Sequence, residues 1–257
     1  MQAPEEILKI WRKFDDFPME TLTKAWLHSR GEGRQRDTGT MKSHLERYGI
    51  TGNCFDLALW LLDKFQQGEM EAYPIGHDLN TDKAHVAVVV LDKTGNRYLC
   101  DLGDQWLQPV LIEGNHSLFV TGKLEGFFPA SDIEVLPGES AVEVLYHRPN
   151  GKTSRQVYEL TPINMDTFME AANRSQSNVK SEPLLEVRIP YKNEIAHWEF
   201  CDWKSFLSTT QGRVFDPPLF TITEWVERIH EKTGYDKEML EEALIFYQKK
   251  RKHREYK

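Results

Sequence analysis

The stretch from Gly52 to Leu62, GNCFDLALWLL, places a single cysteine where a polar turn runs into an apolar helix. Asn53 is a favoured N-cap residue, and Asp56, three positions later, matches the pattern of a capping box. We therefore predict a helix over residues 54–66 that begins at Cys54. Apolar residues lie on nearly all of its sides, which is typical of a helix buried at the centre of a protein.

The elements around this helix indicate an α+β protein. Helical spacing of apolar residues covers 4–14, 18–28 and 41–48. Short strands separated by Gly or Pro, typical of an antiparallel sheet or small barrel, are predicted over 71–76, 84–91, 97–103, 108–114, 117–122, 133–137, 142–148 and 155–161. Beyond them we predict a helix over 165–174, a strand over 184–191 and two closing helices that are separated near Gly234.

The composition is that of a folded protein and excludes several classes of function. The 257 residues are 40% hydrophobic and 11% aromatic, which is too apolar for a disordered chain. The net charge of −8 argues against general binding to nucleic acid. The three cysteines form no paired framework, and neither a signal peptide nor a membrane-spanning run is recognisable, so we expect a cytoplasmic protein without membrane partners.

Cys54 lies where a nucleophile would be expected. The free N–H groups and positive dipole at a helix N-terminus favour a thiolate over a thiol. Cysteine is also a small apolar residue that is often simply buried, so the position alone leaves both interpretations open. A catalytic thiolate needs an imidazole within reach and an acid that orients the imidazole.

His85 and Asp101 can supply these two groups. They lie on the arms of a predicted hairpin whose loop is Asp92–Asn96, in which opposed residue numbers sum to about 188. Asp101 then lies opposite Ala87 and diagonal to His85 on one face of the hairpin. A slip of one residue would place the two side chains on opposite faces. A histidine with a purely structural role is the alternative, but Asp101 in an apolar strand also needs a polar partner.

The other cysteines and the metal motifs add no second site. We interpret Cys100 as a core residue because it should point to the opposite face from Asp101, and Cys201 as another because it has no visible chemical partner. Paired cysteine motifs and H-E-x-x-H helices do not occur in the sequence, and His116, His147 and His197 stand apart, so we expect no metal.

Several segments resemble the arylamine N-acetyltransferase family. These are Cys54-Phe55-Asp56 at the start of a buried helix, His85 before a valine-rich strand, and YLCDLG over 98–103, which contains Asp101. Weaker matches are Leu107-Gln108-Pro109-Val110 with Gly114, and Asp166-Thr167-Phe168 with Ala172-Asn173. The resemblance covers roughly residues 45–190. The chain departs from the family's R-G-G-x-C pattern, since residues 50–54 read ITGNC.

The resemblance implies both an architecture and a reaction. The architecture is a helical domain over 1–70, an antiparallel β-barrel domain over 71–160, and an α/β lid with C-terminal helices over 161–257, around a cysteine-proteinase-like core. The reaction is ping-pong transfer of an acetyl group from acetyl-CoA to a small arylamine, hydrazine or related amine. Cys54 would be the nucleophile, His85 the acid and base, and Asp101 the group that fixes the ring.

Two other functions remain open on the sequence. A transglutaminase-like thiol amidase or peptidase shares a G-x-C-x-D/E helix followed by His and Asp, and needs no CoA. A catalytically silent homologue that binds a ligand or partner is the other alternative. The Asp-Leu-Gly end of the second hairpin strand and the segment at 166–173 favour the acetyltransferase.

Overall fold

The computed structural model describes residues 2–255, with side chains described as far as Lys252. Its helices are α1 (Glu5–Trp11), α2 (Leu22–Ser29), α3 (Thr38–Tyr48), α4 (Cys54–Gln67), α5 (Met165–Ser177), α6 (Ile222–Thr233) and α7 (Lys237–Glu255). Within the described residues, no helix is both long enough and apolar enough to cross a bilayer.

The central helix α4 begins where the sequence predicts. Asn53 Oδ1 accepts from the backbone N–H groups of Phe55 and Asp56, and Asp56 Oδ2 accepts from the N–H of Asn53. This capping box satisfies the donors that a helix N-terminus leaves free. Gly234, at φ +72°, ends α6 in the left-handed conformation and separates the two closing helices as predicted.

Two four-stranded antiparallel sheets follow α4. The first has the order β2 (Ala72–His77), β3 (His85–Leu91), β4 (Arg97–Cys100), β5 (Val110–Leu111), and the second has the order β6 (Lys123–Phe128), β7 (Ser131–Pro137), β8 (Ala141–His147), β9 (Thr153–Glu159). Strand β9 lies against β2, and the N–H of Leu107 donates to the carbonyl of Phe127 at 2.8 Å. The predicted barrel thus takes the form of two sheets that meet at their edges.

A five-stranded antiparallel sheet forms the third β layer. Its order is β1 (Met19–Glu20), β10 (Leu184–Tyr191), β11 (Glu194–Cys201), β12 (Lys204–Thr209), β13 (Gly212–Phe215). The α+β class is confirmed. Two hydrophobic clusters form the core: one joins α1, α4 and α5 to the four-stranded sheets, and the other joins α2, α6 and α7 to the five-stranded sheet. The division into three consecutive domains stays a prediction.

Two predicted elements were wrong, at 18–28 and at 117–122, and several strands were missed. The helix predicted over 18–28 is β1 followed by α2, because Met19 and Glu20 pair with β10. The predicted strand over 117–122 is a turn in which the N–H groups of Leu118 and Phe119 bond locally to His116. The strand lies instead at β6, where Gly126 at φ +75° breaks the alternation. Strands β11 to β13 were not predicted at all.

Candidate active site

The β3–β4 hairpin brings His85 and Asp101 together. Val88 pairs with Cys100, which is the predicted register, so Asp101 follows the end of β4 on the face that carries His85. His85 Nε2 lies 2.6 Å from Asp101 Oδ2. The Asp101 side chain is fully buried, whereas the His85 side chain remains 19% exposed. The buried carboxylate therefore orients a ring that solvent can still reach.

The N-terminus of α4 places Cys54 against the same imidazole. Cys54 lies close enough to the His85 ring to act on its charge. Because Asp101 occupies Nε2, the ring nitrogen left for the sulfur is Nδ1. Burial disfavours the charged ring, but the charge and hydrogen bond of Asp101, together with Cys54, raise the pKa of His85 well above its ordinary value. The structure thus brings all three predicted residues into one constellation.

Gly103 allows the chain after Asp101 to lie against the cysteine. A Cβ atom at this position would lie 2.6 Å from the Cβ of Cys54 and 3.1 Å from its Cα. Real Cβ atoms do not approach other carbons so closely, so only glycine fits here. The missing side chain sets the separation between the hairpin and the start of α4.

A buried polar network supports Asp101 from behind. The Tyr158 hydroxyl donates to Asp101 Oδ2 at 2.9 Å, and the N–H of Asp104 donates to Asp101 Oδ1 at 2.9 Å. Asp104 Oδ2 in turn accepts from the Tyr146 hydroxyl and from Trp106 Nε1. Burial and the charge of Asp101 raise the pKa of Asp104 to about 6. Sequence analysis missed these partners, although a second aspartate three residues after Asp101 was a usable signal.

Arg36 holds the segment that precedes the cysteine. Its guanidinium lies 3.2 Å from Asp56 Oδ1, with both side chains almost completely buried, and it also donates to the carbonyl of Thr51. Gln35 and Gln176 donate to the same Asp56 carboxylate at 2.8 and 3.0 Å. The sequence lacks an arginine immediately before the cysteine, and Arg36 reaches this place from the loop before α3. Sequence reasoning could not find this contact, since nothing local links residue 36 to residue 56.

Lys24 lies near Cys54, and an open cleft lies beside His85. Burial lowers the pKa of Lys24 in α2 to about 8, and the charge of Cys54 acts in the opposite direction, so the two groups lie within electrostatic reach. His85 also lines an open cleft of about 560 Å³ whose walls include His77, Asp78 and Arg155. A ligand can therefore approach the imidazole from solvent.

The other two cysteines lie away from this constellation. Cys100 is fully buried in β4 and faces the opposite side of the hairpin from Asp101, and burial raises the pKa of its thiol well above the ordinary value. Cys201 ends β11, and burial raises the pKa of its thiol as well. Burial in a low-dielectric environment keeps the Cys100 thiol protonated and unreactive, whereas Cys201 is only partly buried.

Comparison with solved structures identifies the fold. An arylamine N-acetyltransferase from Nocardia farcinica matches with a TM-score of 0.70 at 14% identity, over 91% of this chain and 84% of that one. The Mycobacterium marinum arylamine N-acetyltransferase in complex with CoA matches with a TM-score of 0.68 at 9% identity, over 91% and 89%. A Bacillus cereus arylamine N-acetyltransferase with a Cys-His-Glu triad matches with a TM-score of 0.66 at 12% identity, over 91% and 92%.

Sequence comparisons add nothing to this likeness, because no protein-family model and no curated protein matches the chain. The structural likeness extends over nearly the whole chain and over most of each neighbour. The fold is thus that of the arylamine N-acetyltransferases, as the sequence resemblance predicted.

Proposed function

We propose that this chain, which has the fold of the arylamine N-acetyltransferases, transfers an acetyl group from acetyl-CoA to a small amine through an acetyl-Cys54 intermediate. The observation that carries the proposal is the 2.6 Å contact of His85 Nε2 with Asp101, which leaves the other ring nitrogen for Cys54. Cys54, His85 and Asp101 are the catalytic residues. The CoA bound to the Mycobacterium marinum neighbour supports acetyl-CoA as co-substrate.

The first half-reaction acylates the cysteine. His85, protonated beside the sulfur, holds Cys54 as the thiolate, which attacks the thioester carbonyl of acetyl-CoA. Backbone N–H groups at the start of α4 stabilise the oxyanion that develops on the carbonyl oxygen. The bond to the CoA sulfur then breaks, and His85 gives its proton to the departing thiolate. Acetyl-Cys54 and a neutral imidazole remain.

The second half-reaction releases the product. The acceptor is an arylamine, a hydrazine or a related amine, whose nitrogen attacks the acetyl carbonyl while His85 takes its proton. Cys54 leaves as the thiolate, and Asp101 stabilises the imidazolium that forms and fixes the tautomer of the ring. The enzyme returns to its starting protonation state.

A cytoplasmic location belongs to the same proposal. The three cysteines of the chain are all free thiols, and a reducing compartment keeps them so. The nucleophile needs this protection because an oxidised Cys54 could not accept an acetyl group.

Intact mass spectrometry after incubation with acetyl-CoA tests the proposal. We expect one acetyl group per chain, located on Cys54 by peptide mapping and released when an arylamine is added. The adduct should be absent from Cys54→Ala and strongly reduced in His85→Gln, whereas Cys201→Ala is the matched control and should acetylate normally.

Two results would contradict acetyl transfer. If acetyl-CoA leaves no adduct but a glutamine-amide or peptide probe labels Cys54, the protein is a thiol amidase or transglutaminase-like enzyme. If neither acetyl-CoA nor that probe modifies Cys54, and Cys54 resists alkylation by iodoacetamide near pH 6, the thiolate does not form and the protein is a silent binder.

A further inference from the structure

Three side chains of the five-stranded sheet converge on one point outside the triad. Glu186 in β10 pairs with Glu199 in β11, and His197 lies two residues from Glu199 on the same face. One ligand atom from each of the three lies within 4.8 Å of the other two. His197 Nε2 lies 3.9 Å from Glu186 Oε1, which is too far for a hydrogen bond. The three ligand atoms therefore lie close together, but His197 Nε2 is not hydrogen-bonded to Glu186.

The imidazole of His197 has one buried nitrogen that no other described residue contacts by a hydrogen bond. His197 is only 8% exposed, and within the described part of the chain its buried Nε2 atom has no hydrogen-bond partner. A buried polar atom without a partner costs roughly 1–3 kcal/mol, so such atoms are rare in native proteins and call for an explanation. A ligand bound between His197 and the two glutamates would supply the missing partner.

The two glutamates lie directly opposite each other. Glu186 and Glu199 are opposed in the strand pairing, where like charges destabilise a sheet. The positive charges of Arg213 and Arg148 act on Glu199, while the Arg213 guanidinium lies over the ring of Phe206 at 4.5 Å and Arg148 donates to Ser154 Oγ at 3.4 Å. A cation between the carboxylates would convert their repulsion into attraction.

The space beside the three side chains is open to a small ligand. A cavity of about 250 Å³ is lined by all three of them, and also by Asp104, Arg148 and Arg213. One or more water molecules fit into a cavity of this size. An ion bound by three protein ligands would thus keep an exchangeable position facing the cavity.

We propose that Glu186, His197 and Glu199 bind one divalent transition-metal ion of the Zn²⁺ type. One imidazole and two carboxylates are ligands that Zn²⁺ accepts, with the fourth tetrahedral position left to water. Ligand atoms around tetrahedral Zn²⁺ are about 3.4 Å apart, so the glutamate side chains must close in by about 1 Å. Carboxylate rotamers allow such a movement without any shift of the strands. The ligands come from two strands, so no linear sequence motif marks the site.

The proposed metal site lies next to Asp104, which is hydrogen-bonded to Asp101. Asp104 lines the same cavity, and its N–H donates to the Asp101 carboxylate. A bound ion would therefore lie close to the Asp101 carboxylate, which orients His85, and its positive charge would act on that carboxylate. Metal binding itself does not depend on acetyl transfer, so the two proposals can fail independently.

Titration of the metal-free, full-length Cys54→Ser protein with ZnCl₂ tests the proposal. The substitution removes the thiol, which would otherwise compete for the ion. Calorimetry should show one Zn²⁺ per chain, and replacement of Zn²⁺ by Co²⁺ should give the visible absorption of a tetrahedral site. His197→Gln and Glu199→Gln, each added to Cys54→Ser, should weaken binding by at least about 100-fold.

A second histidine–glutamate pair provides the matched control. His147 Nε2 lies 3.0 Å from Glu134 Oε2 on the β7–β8 pair, and no third His, Cys, Asp or Glu among the described residues joins them, so His147→Gln should leave Zn²⁺ affinity unchanged. Near-UV circular dichroism checks that each variant is folded, and Zn²⁺ should raise the thermal midpoint of Cys54→Ser but not of its His197→Gln derivative. The absence of Zn²⁺ binding to Cys54→Ser, or equal binding after His197→Gln, would overturn the proposal.

Discussion

At position 103 a single methyl group decides whether the cysteine and the hairpin can meet. We predict that Gly103→Ala displaces Cys54 by several tenths of an ångström, because the new Cβ would lie 2.6 Å from the Cβ of Cys54. Small misplacements of a reacting group cost on the order of 10²-fold in rate, and overpacking costs about 1–3 kcal/mol of stability.

The rate of acetyl-Cys54 formation and the urea midpoint measure these two effects. Gly33→Ala is the control, since the nearest heavy atom to a Cβ at that position would lie 3.6 Å away, within ordinary contact distance. An unchanged acetylation rate in Gly103→Ala would show that the close approach does not constrain Cys54.

Asp104 gives stability a pH dependence of definite sign. Its folded pKa of about 6 lies above the ordinary value of 3.8, so between these pH values the folded chain binds more protons than the unfolded chain. The free energy of unfolding should therefore fall as the pH rises from 4 to 6, by at most about 3 kcal/mol from this group.

Urea unfolding of wild type and Asp104→Asn at pH 4, 5, 6 and 7 isolates this contribution. Asparagine keeps an oxygen acceptor for Tyr146 and Trp106 but cannot titrate, so the variant should gain stability relative to wild type as the pH rises. Asp16→Asn, at an exposed position, should follow the wild-type curve. Parallel curves for wild type and Asp104→Asn would contradict the raised pKa.

The helix that begins at Cys54 depends on a buried ion pair. We predict that Arg36→Met destabilises the protein by roughly 3–5 kcal/mol, because the Asp56 carboxylate at the start of α4 would stay buried without its cation. Chemical denaturation measures the loss. Adding Asp56→Asn to Arg36→Met removes the unpaired charge and should restore part of the stability.

The exposed pair of Lys42 and Glu46 in α3 is the control for this ion pair. Its side chains are 69% and 66% exposed, so Lys42→Met should change stability by less than about 1 kcal/mol. If Arg36→Met behaved like Lys42→Met, the pair with Asp56 would not be what holds the start of α4.

Elements with local determinants could be predicted from the sequence. Asn53 sets the start of α4, and the short Asp92–Asn96 loop sets the hairpin register that brings His85 and Asp101 together. Strands β11 and β12 escaped prediction because the turns that precede them lack the expected glycines. Lys192, Asp202 and Trp203 take positive φ values of 52°, 46° and 62° instead.

The supporting residues of the site escaped prediction for a different reason. Arg36 with Asp56, and Tyr158 with Asp101, meet only because separate elements pack together. Hydrophobic periodicity places such elements on a core but does not specify which polar side chains cross between them. The approach of His85 to Asp101 near Cys54 could be predicted because His85 and Asp101 share a hairpin and Cys54 begins a helix.

At the scale of the whole molecule, the two hydrophobic clusters have to keep their relative position for the site to form. Arg188 of β10 belongs to the five-stranded sheet, and its guanidinium donates to the carbonyl of Trp106 at 2.6 Å and to the carbonyl of Phe14. Both acceptor residues contribute side chains to the other cluster. Burial lowers the pKa of Arg188 to about 10, so the group stays charged at neutral pH.

Arg188→Met should therefore weaken the whole molecule rather than one element. It removes two charge-assisted hydrogen bonds, and the carbonyl of Trp106 loses its side-chain donor, whereas the carbonyl of Phe14 keeps the N–H of Phe17. The loss should be about 3 kcal/mol. Hydrogen exchange should rise both in β10 and around Trp106, because the two clusters lose the hydrogen bonds that Arg188 makes between them. Arg12→Met, which removes an ion pair whose side chains are 51% and 72% exposed, should change stability by less than about 1 kcal/mol. A loss confined to β10, with protection around Trp106 intact, would show that apolar packing alone joins the two clusters.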